Sequence, residues 1–289
     1  LTIGLVLSGG GPLAVAWECG VAGGLATRGI ALGSADLILG TSAGAIVGLQ
    51  LAAGRDPEAM AQAILDEKSG KPPPGAMTTY HQDAVAKLPD AFAKALSGKA
   101  GRVEVGEYAL RAATSESEAD YVARMELSLG LKAWPDRNVG VVAVDATTGE
   151  HAIFAANSGA TLGQTVAASC CLPGLSPPVT IGERRYIDGG MRSSANVDLL
   201  GPCERVLVLN FRPPGPAGDR MQARALAQVE QLEASGAHVQ LVLPNDTSLM
   251  AIGPRTMDVT RRPDVVHAGM VQGAALAASL REFGELATR

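Results

Sequence analysis

Short apolar runs alternate along the chain with longer stretches in which apolar residues recur every third or fourth position. Ile3, Leu5, Val6 and Leu7 predict a buried strand over 2–7, and the Ala-rich stretch 13–27 predicts an amphipathic helix after it. Leu37, Ile38 and Leu39 predict a second short strand, followed by helical patterns over 45–53 and over 56–68, the latter opened by Asp56-Pro57. Gly70-Lys71-Pro72-Pro73-Pro74-Gly75 is a break that no regular element survives. Helical patterns resume over 81–96, 105–113 and 116–129. Strands are predicted over 139–144 and 151–155, joined as a hairpin by the turn around Thr147-Thr148-Gly149, with a short helix over 161–169. A second hairpin joins 179–181 to Tyr186-Ile187 through a turn at Gly182-Glu183-Arg184-Arg185. Strands over 205–209 and 239–243 flank a loop and helix over 215–235, and a helix over 265–286 closes the chain.

This alternation predicts an α/β fold with a largely parallel sheet. No internal repeat or second domain is visible, so residues 1–289 read as one domain. The helical section from about 70 to 130 reads either as a cap over a site or as part of the helical layer.

The composition adjusts that picture. Aromatic residues make up only 3% of the chain while glycine numbers 35, so the core must be built from Ala, Val and Leu with close helix–sheet approach. A net charge of −5 argues against general nucleic-acid binding, which needs basic surface, though Arg184, Arg185, Arg192 and Arg261-Arg262 leave room for a local patch. Cys19, Cys170, Cys171 and Cys203 lack a Cys-x-x-Cys spacing and suit buried free thiols in a reducing compartment. No apolar run is long enough to span a bilayer and no charged leader precedes an apolar segment, although a chain beginning at Leu1 leaves a removed leader open. The expectation is a cytoplasmic protein whose membrane contact, if it has one, is peripheral.

Candidate chemistry concentrates in the turns after strands. Gly40-Thr41-Ser42-Ala43-Gly44 lies between a strand and a helix, the setting in which Gly-x-Ser-x-Gly forms a nucleophile elbow. The plainer alternative is a helix-capping serine in a Gly-rich turn. Ser8-Gly9-Gly10-Gly11-Pro12 follows the first strand, and its bare amides suit an oxyanion or a phosphate. Gly9-x-Gly11-x-x-Ala14 also fits a dinucleotide fingerprint, but the acidic residue wanted at the end of the second strand is missing there, with Asp36 lying before that strand. Asp188-Gly189-Gly190 ends an apolar strand and offers either a hairpin turn or a base held by backbone. His81, His151, His238 and His267, the four histidines, lack an adjacent triad pattern and read as surface or helix-face residues. Trp17 and Glu18 near the glycine loop read as packing and as a solvated carboxylate, and Cys170 and Cys171 as residues bordering a pocket.

The ordered set of Gly9-Gly10-Gly11, Gly40-Thr41-Ser42-Ala43-Gly44 and Asp188-Gly189-Gly190 resembles the patatin-like phospholipase family. Ala168-Ser169, Leu172-Pro173 and Pro177-Pro178 resemble that family's approach to its aspartate, Asn196-Val197 its Asn-x-Pro without the proline, and Asp145 to Gly149 its Asp-x-x-Thr-Gly hairpin. The resemblance covers most of the chain to about Leu200. It implies a three-layer α/β/α sandwich with a mainly parallel central sheet, and hydrolysis of lipid acyl esters without metal or cofactor. In this reading Ser42 is the nucleophile, Asp188 its base, and the amides of Gly9, Gly10 and Gly11 the oxyanion hole. Pro12-Leu13-Ala14 stands where the family's loop commonly continues with a basic residue and a glycine, which argues against a strongly anionic substrate. Two rivals stay open: a dinucleotide- or phosphate-binding protein using Gly9 to Gly11, and a catalytically silent lipid-binding relative.

Overall fold

The computed structural model describes residues 2–69, 82–212 and 215–283. β1 (Ile3–Leu7) leads into α1 (Gly11–Ala26), and β2 (Leu37–Thr41) into α2 (Ala43–Ala52) and α3 (Pro57–Leu65). The helices α4 (Gln82–Leu96), α5 (Lys99–Arg111) and α6 (Glu118–Leu129) follow. β3 (Asn138–Asp145) and β4 (His151–Phe154) pair as a hairpin, and α7 (Leu162–Ser169) separates them from the second hairpin, β5 (Val179–Ile181) and β6 (Arg184–Asp188). The chain closes with β7 (Arg205–Leu209), α8 (Pro216–Ala234), β8 (His238–Val242), α9 (Asp246–Ile252) and α10 (Arg262–Phe283).

All described strands join one sheet in the order β5-β6-β3-β2-β1-β7-β8, with β4 paired to β3 off this path. β8, β7, β1, β2 and β3 run parallel, whereas β4, β5 and β6 make the antiparallel end. The central strands β1, β2, β3 and β7 are buried on both faces, as an apolar run such as β1 requires. Ile3, Leu5 and Leu7 turn into one core with residues of α1, α2 and α10. Val6, Leu39, Val206 and Val208 turn into a second, with Ala225 and Val229 of α8. This is the mainly parallel three-layer α/β/α arrangement. The strand order reverses at β1, with β2 and β3 on one side and β7 and β8 on the other. Such a switch point leaves a crevice beyond the carboxyl ends of the strands, and there the Gly9–Gly11 loop begins.

Several elements differ from expectation. α1 is not amphipathic: its residues from Leu13 to Leu25 are buried almost all round, because α10 and α3 cover the side away from the sheet. α5 starts at Lys99, six residues ahead of the predicted start at Val105, and α9 was not legible at all. Arg184 and Arg185 belong to β6 and not to the turn before it. Residues 70–75 and 284–286 of the expected break and last helix lie outside the described residues, as do Gly70 to His81 of the expected cap. Of the rest of that cap, α5 and α6 send Val105, Ala109, Tyr121, Met125 and Leu129 into the main core.

Candidate active site

The serine turn follows directly from its neighbours. β2 ends at Thr41 and α2 starts at Ala43, which leaves Ser42 alone to reverse the chain, at φ 53° and ψ −114°. Non-glycine residues avoid such backbone, at a cost of about 1–3 kcal/mol that the surroundings must offset. Here the Ser42 N–H donates to Ser169 Oγ at 2.8 Å, and that hydroxyl donates onward to the Val142 carbonyl at 2.6 Å. The Gly44 N–H donates to the Ser8 carbonyl at 3.0 Å, drawing α2 against β1 so closely that a Cβ on Gly44 would stand 2.2 Å from the Leu7 carbonyl oxygen. Ser42 therefore sits at a helix N-terminus, where free N–H groups favour developing negative charge.

Strand register brings Asp188 to it. β3 lies between β2 and β6, with Thr41 opposite Val142 and Asp188 opposite Ala143, the next residue along. Ser42 and Asp188 thus leave the sheet at nearly the same height, on strands about 10 Å apart, and their side chains close the gap. The Ser42 hydroxyl donates to Asp188 Oδ2 at 2.8 Å. The Gly190 N–H donates to Asp188 Oδ1 at 2.7 Å, and the aspartate's own N–H donates to the Cys171 carbonyl at 2.9 Å. Glycine is needed at 189 because a Cβ there would lie 2.3 Å from the Val142 oxygen. Asp188 is only 1% exposed. Burial pushes its carboxyl from the ordinary 3.8 up to about 7, against the smaller lowering effects of the Gly190 amide and the Ser42 hydroxyl.

Asn196 ties the two turns together. It is fully buried and left-handed at φ 52°, and its Nδ2 donates to Thr41 Oγ1 (3.1 Å), the Gly189 carbonyl (3.3 Å) and the Ser193 carbonyl (2.7 Å). Arg192 Nη1 donates to its Oδ1 at 2.8 Å and pairs with Asp198, which fixes the amide's orientation.

The glycine loop needs one correction. Gly9 packs against Ser42, but its N–H donates to the Ser194 carbonyl at 2.7 Å. That bond ties the loop to the segment after Asp188 and leaves the Gly9 amide without a free hydrogen for an oxyanion. The Gly10 and Gly11 amides have no acceptor among the described residues. A cavity of about 520 Å³ opens over Ser42, Asp188 and this loop. α4 lines it with Leu88, Phe92 and Leu96, and the C-terminal third contributes Arg220, Arg255 and Met257.

Other candidates fall elsewhere. His151, His238 and His267 are exposed and do not line the cavity, and His81 lies outside the described residues. Trp17 packs in the core with its Nε1–H donating to Gln272. Glu18 is not the expected solvated carboxylate: it is fully buried, neither oxygen makes a well-aligned hydrogen bond among the described residues, and burial pushes its pKa well above the usual range against a smaller lowering effect of the Ser8 amide. The Cys170 thiol reaches Ser42, but burial and the charge of Asp188 push its pKa up, so it is not a competing nucleophile. All four cysteines are free thiols. The arginines of the suggested basic patch have internal partners: Arg184 pairs with Asp145, Arg185 holds the Pro178 carbonyl, Arg192 pairs with Asp198, Arg261 holds α9 carbonyls, and Arg262 pairs with Glu67. Asp36 accepts the Ile3 N–H at 2.8 Å, at the end of the sheet away from the glycine loop, where it could not meet a ribose. Among the described residues no cluster of His, Cys, Asp and Glu is arranged to hold a metal ion.

Among curated proteins, none matches the sequence significantly. Of solved structures, VipD from Legionella pneumophila is similar at a TM-score of 0.48 and 14% identity, covering 96% of this chain and 67% of VipD. The type III effector protein ExoU is similar at 0.36 and 16%, covering 94% and 53%. Full-length ExoU from Pseudomonas aeruginosa in complex with SpcU gives 0.35 and 14%, covering 95% and 53%. The chain thus spans about half the length of the ExoU chains. A family model described as patatin-like phospholipase matches residues 5–200, a span that holds the glycine loop, the serine turn and the Asp188 turn together, and the chain therefore belongs to the patatin-like phospholipase family.

Proposed function

We propose that the protein hydrolyses lipid acyl esters through an acyl-enzyme on Ser42, with Asp188 as general base and no histidine. The observation that carries this reading is the 2.8 Å hydrogen bond from the Ser42 hydroxyl to a buried carboxyl whose pKa is raised to about 7. An ordinary carboxylate is a poor base for serine at neutral pH, whereas one near 7 is both ionised in good part and basic enough to accept the proton. Ser42 attacks the ester carbonyl as its proton passes to Asp188 Oδ2. The oxygen that gains charge is met by the Gly10 and Gly11 amides, and removing one such donor typically costs about 100- to 1000-fold in rate. Collapse expels the alcohol, which takes the proton back from Asp188. Water then gives a proton to Asp188 as it attacks the acyl-Ser42, and when the tetrahedral intermediate breaks down that proton passes to Ser42 Oγ and the fatty acid leaves.

Family membership supports a lipid substrate, and the apolar side chains of α4 in the cavity wall suit an acyl chain. Membrane contact in this reading is peripheral; among the described residues no helix is long and apolar enough to cross a membrane. The test uses a fluorophosphonate probe and a neutral chromogenic ester on wild type, Ser42→Ala and Asp188→Asn. Labelling and turnover in wild type alone are expected. An unlabelled wild type would leave a catalytically silent relative.

A further inference from the structure

The glycine loop is fastened to the sheet on one side. The Ser8 N–H donates to the Leu209 carbonyl at 3.1 Å, and the Ser8 carbonyl accepts the Gly44 N–H. The Gly9 N–H donates to the Ser194 carbonyl. The Gly10 and Gly11 amides that follow have no acceptor among the described residues, and Gly11 is left-handed at φ 73°. Glycine has the freest backbone of any residue, so two glycine amides that receive an oxyanion need a second anchor beyond them.

That anchor is Arg262, the first residue of α10. Its Nη1 donates to the Pro12 carbonyl at 3.0 Å, directly after the two free amides. α10 reaches this point because it lies along α1 in the same direction. A Cβ on Gly20 would stand 2.3 Å from the Val266 carbonyl oxygen, and one on Gly24 would stand 2.1 Å from that of Met270. The segment just before α10 also covers the loop: a Cβ on Gly11 would lie 3.0 Å from Met257 Sδ.

The guanidinium is itself held. Its Nε and Nη2 donate to Glu67 Oε2 and Oε1 at 2.8 and 3.0 Å, a fork that occupies one edge of the group and leaves Nη1 to Pro12. The two side chains are only 7% and 14% exposed. A buried ion pair is weak support for a fold, because desolvation offsets much of the attraction and apolar residues of similar volume often serve as well. What apolar residues cannot supply is the N–H on the Pro12 carbonyl. Neither Arg262 nor Glu67 lines the cavity, and Arg262 lies outside residues 5–200, the span matched by the family model.

We propose that Arg262 is a positioning residue for the oxyanion hole, oriented by Glu67 and fixing the Gly10 and Gly11 amides through the Pro12 carbonyl. The proposal rests on the hydrolase reading above and deepens it. The oxyanion forms only as the reaction proceeds, so a slack loop lowers kcat and leaves substrate binding alone.

The experiment uses a neutral chromogenic ester and a trifluoromethyl ketone, whose adduct with Ser42 presents an oxyanion to the same amides. Sites are counted with the fluorophosphonate probe, so each rate refers to folded protein. Arg262→Met combined with Glu67→Met removes the tether and fills the place of the ion pair with apolar side chains. Per site, kcat should fall about 10- to 100-fold, the range of one charge-assisted hydrogen bond, with KM within about twofold. The inhibition constant of the ketone should rise by the factor by which kcat/KM falls. Arg262→Lys keeps the charge but not the fork, and should show the same coupled change at about threefold to tenfold. A wild-type kcat per site in the double variant overturns the proposal. So does a lower kcat with unchanged ketone binding, because a merely structural pair alters the number of sites and not their grip on an oxyanion. Either result leaves the hydrolase reading intact. Where the double variant fails to fold, Arg262→Lys decides by the same two readings. A wild type that neither takes the label nor hydrolyses the ester overturns the hydrolase reading, and this proposal with it.

Discussion

A carboxyl held at about 7 by burial must weaken the fold as it ionises, and Asp188→Asn removes that liability. Between about pH 4 and 7 the folded protein keeps a proton that the unfolded chain has released, so stability declines as the pH rises through this window. The shift from 3.8 to about 7 amounts to about 4 kcal/mol once both states are ionised, at roughly 1.4 kcal/mol per pH unit. Asparagine has nearly the same shape, can still accept the Gly190 N–H on Oδ1, and can donate to Ser42 Oγ from Nδ2. Urea unfolding of wild type and Asp188→Asn at a series of pH values isolates this one group, because every other titration cancels in the difference. The stability of the variant relative to wild type should grow by about 2.5 kcal/mol from pH 5 to pH 8 and then level off. A difference that stays flat across this range would mean that Asp188 ionises as an ordinary aspartate. A difference that shrinks would mean that the native state stabilises the charged form. Either result would remove the physical basis for proposing Asp188 as a base.

Three further outcomes are expected. For a neutral ester, kcat/KM should rise with pH as a single ionisation centred at about 7; a profile flat from pH 5 to 9 would contradict it. Asn196→Gly keeps the left-handed backbone but deletes the amide that joins Thr41 to Gly189, so kcat should drop by about 10- to 100-fold with KM little changed. A change in KM alone would show that the amide does not set the spacing of the dyad. Gly44→Ala puts a methyl group 2.2 Å from the Leu7 oxygen, and denaturation should reveal a loss of about 1–3 kcal/mol or failure to fold; an unaffected midpoint would deny the close approach of α2 to β1.

Much of this architecture can be read from the chain because the central parallel strands are buried on both faces, so β1, β2, β3 and β7 are plain apolar runs. Boundaries drift where a helix carries little pattern: α5 contains Gly101 and Gly106, which mask its early turns. α1 misleads in the other direction, since a helix rich in Ala and Gly looks one-sided until α10 is laid over it, and Glu18 on that helix is buried too. At the site, Ser42 and Asp188 stand out because each needs its glycines, and those glycines are visible. What brings the two together is the register of β6 on β3, which involves residues some forty positions apart in the chain and leaves no local trace. The commitment of the Gly9 amide to Ser194 is equally non-local. So is the placing of Arg220 and Arg255 in the cavity wall, two cations that look like ordinary surface residues in the sequence.

The most direct measurement is intact-mass and peptide mass spectrometry of the protein quenched during turnover of a slowly deacylating ester. A single acyl adduct on the peptide containing Ser42 is expected, absent in Ser42→Ala and strongly slowed in Asp188→Asn. Turnover without any adduct on Ser42, or an adduct that forms at an unchanged rate without the Asp188 carboxyl, would contradict a serine nucleophile activated by that aspartate.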